Sequence, residues 1–162
     1  MNIRIVPYSD KFVTGVRDLI VPIQREEFGI AITYDDQPDL HDIPAFYRKG
    51  FGDFWIALHE SAVVGSIALV DIGNGQGALR KMFVKSAYRG AGHGVARRLL
   101  DTLLEHARQT DVKDVYLGTT SKFLAAHRFY EKSGFDLVAE TDLPKTFPRM
   151  AVDTRFYVRR LT

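Results

Sequence analysis

The chain contains 162 residues, of which 46% are apolar and 26% are charged, as is ordinary for a globular protein. This length suits one domain, residues 1–162, which can bury a core without disulfides or metals. Cysteine is absent, which excludes disulfides and thiolate chemistry and agrees with a cytoplasmic location. No apolar run approaches the ~20 residues of a spanning helix, and residues 1–6 are too short for a signal peptide. We therefore predict a soluble cytoplasmic protein with no membrane partner.

The net charge is small, but the basic residues are unevenly spread. The 22 Lys and Arg residues exceed the 20 Asp and Glu residues by two, too few to make the whole surface bind a polyanion. Between Ile72 and Leu100, however, the chain has no acidic residue. This stretch forms either a solvated basic face or a site for an anion. Its six basic residues are Arg80, Lys81, Lys85, Arg89, Arg97 and Arg98.

The first third of the chain predicts one strand and two helices. Residues 2–6 alternate as a short strand does, and a helical apolar pattern follows. Pro22 is expected to kink or end that helix. Residues 30–44 are rich in Asp and Pro, which predicts irregular structure, and residues 43–49 suit a short second helix.

The middle of the chain predicts an antiparallel meander. Residues 54–59, 63–72 and 78–84 are rich in β-branched and aromatic residues, as strands are. Glu60-Ser61 joins the first two strands as a tight turn, and Gly73-Asn74-Gly75 joins the second pair.

The second half of the chain alternates helices and strands. Val95–Gln109 has the clearest amphipathic stripe, and a strand is predicted over residues 114–118. A helix over residues 121–133, a strand over 135–139 and a last strand over 149–160 follow. The element order is therefore β-α-α-β-β-β-α-β-α-β-β, an α/β (α+β) protein with a mixed sheet and helices on its faces.

A glycine-rich turn joins the third meander strand to the long helix, with the sequence Arg89-Gly90-Ala91-Gly92-His93-Gly94. Glycines let the backbone approach a ligand closely, and a helix N-terminus offers free N–H groups to an anion such as pyrophosphate. A nucleotide-binding P-loop would need Lys and Ser or Thr after Gly94, where Val95 stands instead. A dinucleotide-binding turn would need a parallel βαβ unit, whereas hairpins precede this loop.

The Arg-x-x-Gly-x-Gly pattern between a meander strand and a long helix resembles the GNAT acyltransferases. A second segment, Ala126-His127-Arg128-Phe129-Tyr130-Glu131-Lys132-Ser133-Gly134-Phe135, is similar to that family's late helix, turn and strand. The order of elements matches over nearly the whole chain. The resemblance implies the GNAT fold, acetyl-CoA as the acyl donor, and N-acetylation of a primary amine by direct attack in a ternary complex.

The resemblance also implies roles for particular residues. Tyr130 would act as the general acid that protonates the leaving CoA thiolate, since its ordinary pKa keeps it protonated at neutral pH. A backbone N–H near Met82 and Phe83 would polarise the thioester carbonyl. The residues that would contact the cofactor are Met82, Phe83, Val84, Arg89, Gly90, Ala91, Gly92, His93, Gly94, Val95, Ala126 and Tyr130.

Two positions depart from the family's pattern. Ala78 stands where many relatives carry a glutamate base, which leaves Asp71, Glu26 and Glu27 as replacements. Phe123 stands where relatives often carry an asparagine that contacts CoA. His127 lies one helical turn before Tyr130, so it could relay a proton or remain a solvated helix residue. His41, His59 and His106 show no metal-ligand spacing, and no metal is expected.

The acceptor and the assembly remain open. A small amine, an amino acid, an antibiotic or a peptide terminus could accept the acetyl group, and the acidic loop over residues 34–42 could attract a cationic amine. The apolar last strand could form a homodimer edge or pair within the sheet. A non-catalytic acyl-CoA sensor is an alternative supported by Ala78, and a nucleic-acid-binding protein is another, although the low net charge disfavours it.

Overall fold

The computed structural model describes residues 2–90, 92–121 and 124–161. These residues form helices and strands in the predicted order, which confirms the predicted fold class. No helix among them is long and apolar enough to cross a membrane. The strands are β1 (Ile3–Pro7), β2 (Asp53–His59), β3 (Ala62–Asp71), β4 (Gln76–Val84), β5 (Asp114–Thr119), β6 (Asp136–Val138) and β7 (Arg155–Arg160). The helices are α1 (Val13–Pro22), α2 (Ile43–Tyr47), α3 (Val95–Gln109) and α4 (Leu124–Lys132).

The seven strands form one mixed sheet in the order β1-β2-β3-β4-β5-β7-β6. Neighbouring strands are antiparallel, except that β4 and β5 run parallel. The parallel pairing is short, because it runs from Gln76 opposite Asp114 to Ala78 opposite Tyr116 and ends there. The carboxyl-terminal half of β4 therefore separates from β5 and leaves a gap in the sheet, which we call the β4–β5 gap.

Each face of the sheet buries its own apolar side chains. Leucines of α3, among them Leu99 and Leu103, pack on one face together with Tyr130 of α4. The other face is covered by α1 and α2, whose buried residues include Ile20 and Tyr47. A smaller cluster around Phe147 packs on this second face as well, since Val70 contacts both clusters.

A β-bulge interrupts the pairing of β3 with β4. Ser66 pairs with Phe83 and Ala68 pairs with Arg80, so that β4 has one residue more than β3 between these points. Lys81 takes up the extra residue with a positive φ of 53°, a conformation that is uncommon for a residue other than glycine. The hydroxyl of the buried Ser66 donates a 2.7 Å hydrogen bond to the Lys81 carbonyl and holds the bulge closed.

The first helix changes at Pro22, as predicted, because α1 ends there and a π-helical segment, Ile23–Glu27, follows. Other element boundaries differ from the prediction. The last strand begins at Arg155 instead of residue 149, because residues 150–153 form a turn in which the Asp153 N–H donates to the Met150 carbonyl. The fourth helix is described from Leu124 onwards, and its predicted start overlaps positions outside the described residues.

The predicted turns of the meander are confirmed. Glu60 has a φ of 57° in the turn between β2 and β3. Gly73, Asn74 and Gly75 all have a positive φ between β3 and β4, as the turn-forming sequence predicts.

Candidate active site

The open side of β4 borders the β4–β5 gap. Beyond Ala78, the described part of the chain places no strand beside the β5-facing edge of β4. On the other edge, Phe83 and Val84 remain paired with β3. The main chain at Phe83 and Val84 is therefore held in place by β3, and the edge of β4 around Met82 is open to an extended ligand.

Tyr130 of α4 reaches the gap from the face that α3 covers. Its side chain is buried against Phe135 and Tyr157, with ring centroids 5.6 and 6.2 Å away, and its hydroxyl lies 3.5 Å from the Met82 sulfur. Burial raises the pKa of the Tyr130 phenol well above its ordinary value of 10. The phenol is therefore a proton donor over the whole physiological pH range.

The glycine-rich turn lies at the carboxyl-terminal end of β4, where α3 begins. Gly94 precedes α3 with a left-handed φ of 65°, and no side chain caps the helix. A Cβ atom at Gly90, Gly92 or Gly94 would meet no other atom within 4 Å, so open space surrounds all three glycines. An uncapped helix N-terminus next to open backbone fits the diphosphate of CoA. Ala91 lies outside the described residues.

The side chains around this turn differ in their partners and in their exposure to solvent. Arg89 donates to the Val84 carbonyl at 2.7 Å and forms a 2.6 Å ion pair with Glu27 of the π-helical segment. The exposed ring of His93 lies 6.3 Å from Tyr88. The Val95 side chain is buried in the core, so this residue could contact a ligand only through its main chain.

The helix α4, which carries Tyr130, also carries two other residues for which the sequence suggested a role. Ala126 is partly buried against the α3 side of the core. His127 is buried and bonded through Nε2 to the Thr120 carbonyl at 2.8 Å, so it is not the solvated helix residue that the sequence suggested. Phe123 lies outside the described residues.

The acids considered as replacement bases have other partners or face solvent. Asp71 accepts hydrogen bonds from the main chain of Phe51 and Gly73. Glu27 is paired with Arg89, and Glu26 is exposed. None of these three carboxylates has a described contact with Met82 or Tyr130.

A buried polar cluster lies under the gap on the side of α1 and α2. The Lys81 ammonium, 2.6 Å from Gln37 and 3.5 Å from Asp39, is nearly inaccessible. Asp39 also accepts a hydrogen bond from Tyr47, and Gln37 bonds with Gln24. Burial lowers the pKa of Lys81 to about 8, although Asp39 partly opposes this effect. The cluster joins the 30–44 loop to the β-bulge.

Several charged side chains that the sequence singled out already have partners within the protein. Lys81 and Arg89 have carboxylate partners, and Arg98 donates to the Ile3 carbonyl. Asp36 and Asp42 of the acidic loop accept main-chain hydrogen bonds as turn and helix caps. The sequence did not single out Asp153, whose carboxylate lies against Gly118 of β5, so close that a Cβ atom there would clash with it.

Comparison with known proteins identifies the family. The model of the acetyltransferase (GNAT) family matches residues 16–135, well over half of the chain. This chain belongs to the GNAT acetyltransferase family. The family consists of enzymes that use acetyl-CoA, as the glycine-rich turn and the late helix suggested.

Solved structures of GNAT acetyltransferases share the fold. An acetyltransferase of the GNAT family from Staphylococcus aureus Mu50 superposes with a TM-score of 0.93 at 37% identity, covering 99% of this chain and 100% of that one. N-acetylglutamate synthase from Neisseria gonorrhoeae, solved with coenzyme A and N-acetylglutamate, has a TM-score of 0.76 at 18% identity. It covers 100% of this chain, which covers 36% of the synthase. This second likeness concerns the fold alone.

Among curated proteins, N-acetylaspartate synthetase from Danio rerio is 38% identical over 125 residues, or 76% of this chain. The chain spans 42% of the length of that relative, so the two proteins share a GNAT region rather than a whole sequence.

Proposed function

We propose that residues 1–162 act as a single acetyltransferase domain that transfers the acetyl group of acetyl-CoA to a primary amine. One observation carries this proposal: three features converge on the β4–β5 gap. They are the open glycine turn before α3, the unpaired edge of β4, and the buried Tyr130 hydroxyl next to Met82. Separately, each of these features is common in proteins.

The residues present fit the cofactor. In this proposal, main-chain groups of Arg89, Gly90, Ala91, Gly92, His93, Gly94 and Val95 hold the diphosphate, and those of Met82, Phe83 and Val84 hold the pantetheine arm. Ala126 borders the same arm. The Arg89 guanidinium, paired with Glu27, lends positive charge nearby and ties the turn to the π-helical segment. Acetyl-CoA supplies the acetyl group as an activated thioester.

The reaction needs no covalent enzyme intermediate. The neutral amine nitrogen attacks the thioester carbonyl carbon, a carbon–nitrogen bond forms, and the carbon–sulfur bond breaks. A main-chain N–H near Met82 stabilises the oxyanion that develops on the carbonyl. Tyr130 donates its proton to the departing thiolate, and the nitrogen releases its extra proton to solvent. The Tyr130 phenolate regains a proton from solvent before the next turnover.

Thiol release from acetyl-CoA with a panel of primary amines tests the proposal. We expect amine-dependent release of CoA thiol and a matching gain of one acetyl group in the amine by mass spectrometry. Release without an amine serves as the blank. Acetyl-CoA binding without transfer to any amine would contradict the proposal and favour the sensor interpretation.

A further inference from the structure

Two adjacent basic residues of β4 point to the same side of the sheet. In a regular strand Arg80 and Lys81 would face opposite sides, but the bulge at Lys81 removes this alternation. Lys81 reaches Asp39 in the loop before α2, while the Arg80 guanidinium reaches the Met150 sulfur in the loop before β7. Both loops cover the face opposite α3.

Arg80 and Lys81 differ in whether a carboxylate lies close to their positive charge. Lys81 is buried and lies within 3.5 Å of the Asp39 carboxylate. For Arg80, the described residues provide no carboxylate within 4 Å, and its one side-chain hydrogen bond goes to the Met150 thioether at 3.6 Å. A thioether is a weak acceptor that leaves most of the guanidinium's donors free. Arg80 thus has no ion-pair partner within 4 Å among the described residues.

Arg80 lies close to the place where acetyl transfer is proposed. It precedes Met82 by two residues, with the bulged Lys81 between them. It also lies in the part of β4 that follows the last pairing with β5 at Ala78. Asp153, next to Gly118 on the β5 side, is close enough for the Arg80 charge to lower its pKa, against the larger raising effect of burial. The two residues form no ion pair within 4 Å.

We propose that Arg80 binds a carboxylate of the acceptor and so selects amines that carry an acidic group. This inference rests on the proposed acetyl transfer and specifies its acceptor. The planar guanidinium presents paired N–H donors that match both oxygens of a carboxylate, and its charge persists at every working pH. A carboxylate at Arg80 places an amine a few bonds away within reach of the thioester near Met82. Lys81 cannot take this role, since Asp39 and Gln37 occupy its ammonium.

Pairs of acceptors with and without a carboxylate test whether Arg80 selects acidic amines. Glycine, β-alanine, L-aspartate and L-glutamate are compared with their carboxamides by kcat/KM for thiol release, in the wild type and in Arg80→Gln. We expect the acid-to-amide ratio to fall roughly 10- to 100-fold in R80Q, the range for a lost charged hydrogen bond. Because the ratio is compared between two enzymes, the different amine pKa values of acid and amide cancel. Arg80→Lys should retain part of the preference, because it keeps the charge without the paired donors.

The control is Arg108→Gln, which removes an exposed cation from the last turn of α3 and should leave the ratio unchanged. An equal ratio in wild type and R80Q would overturn the role of Arg80 and leave acetyl transfer intact. If no amine is acetylated, the proposed function fails. The role of Arg80 is then tested separately by measuring the binding of N-acetyl-β-alanine through the broadening of its NMR lines. Binding by the wild type that R80Q loses would support the carboxylate site, and equal or absent binding would overturn it.

Discussion

The environment of Tyr130 keeps its phenol protonated well above neutral pH. Aromatic rings surround it, and its hydroxyl points to the Met82 sulfur rather than to water. Burial disfavours the phenolate, so the pKa rises and the proton is retained until a thiolate forms beside it. An ordinary phenol is also protonated at neutral pH, so the raised pKa of Tyr130 extends the protonated state into the alkaline range.

Tyr130→Phe should lower kcat about 10- to 100-fold, because it removes the proton donor while keeping the ring that fills the core. The affinity for CoA should change little. In the wild type, kcat should show no alkaline loss up to pH 9.5, since the pKa of Tyr130 is raised. Steady-state kinetics from pH 6 to 9.5 provide the measurement. An unchanged kcat in the variant at every pH would remove Tyr130 from the mechanism.

Lys81 makes the stability of the protein depend on pH. Its pKa is lowered to about 8 by burial, whereas an unfolded lysine titrates near 10.5. Between these values the unfolded chain binds one proton more than the folded chain, so the free energy of unfolding rises with pH.

The variant Lys81→Met should lose this dependence. From pH 7 to pH 9.5, the wild type should gain on the order of 1–2 kcal/mol relative to the variant. Urea unfolding of both proteins at the two pH values measures the difference. Parallel pH dependence in the two proteins would show that the buried ammonium does not release its proton in this range.

The β-bulge connects the polar cluster to the site, because it directs Lys81 to the 30–44 loop and Met82 to Tyr130. Without the extra residue, the side chains after Ala78 would follow simple alternation. The Ser66 hydroxyl bonds the bulge carbonyl from the neighbouring strand, so a residue of β3 fixes the main chain that would polarise the thioester.

Ser66→Ala should therefore affect both stability and catalysis. The loss of a buried hydrogen-bond donor costs roughly 1–3 kcal/mol, and kcat should fall more than CoA affinity. Thermal unfolding and steady-state kinetics measure the two effects. The control is Ser61→Ala in the exposed β2–β3 turn, which should change neither. A wild-type kcat in S66A would separate the bulge from catalysis.

The order of elements was predictable because it depends on local patterns. The stripe of α3 and the turn at Gly73-Asn74-Gly75 lie within short windows of sequence. The bulge at Lys81 was not predictable, since it depends on pairing with β3. The partnership of Lys81 with Asp39 likewise requires the loop before α2 to fold over β4.

The site was predictable to a similar extent. The glycine turn and Tyr130 belong to contiguous motifs. Arg80, in contrast, contacts Met150 in the loop before β7, which the sequence predicted as strand. His127 was expected to be solvated or to relay a proton. Its position on the helix does not reveal that it bonds to the Thr120 carbonyl, seven residues earlier in the chain.

At the scale of the whole molecule, the sheet consists of two halves that separate at the β4–β5 gap. The antiparallel strands β1 to β4 form one half, and β5, β7 and β6 form the other, joined by the short pairing around Ala78. The long helix α3 connects β4 to β5 in the chain, and its N-terminus lies at the end of the gap. Binding of the thioester carrier at this junction is the claim on which the proposed function and its acceptor both depend.

Calorimetric titration of acetyl-CoA into the wild type and Gly92→Val tests that claim most directly. A Cβ atom at Gly92 has no described atom within 4 Å beyond its chain neighbours, and the φ of Gly92 is not in the left-handed region, so the variant should fold with an unchanged Tm. We predict saturable heat in the wild type, with a Kd below about 1 mM, and an affinity at least about tenfold weaker in G92V. No heat from acetyl-CoA or CoA at millimolar concentration, or equal affinity in both proteins, would contradict the account.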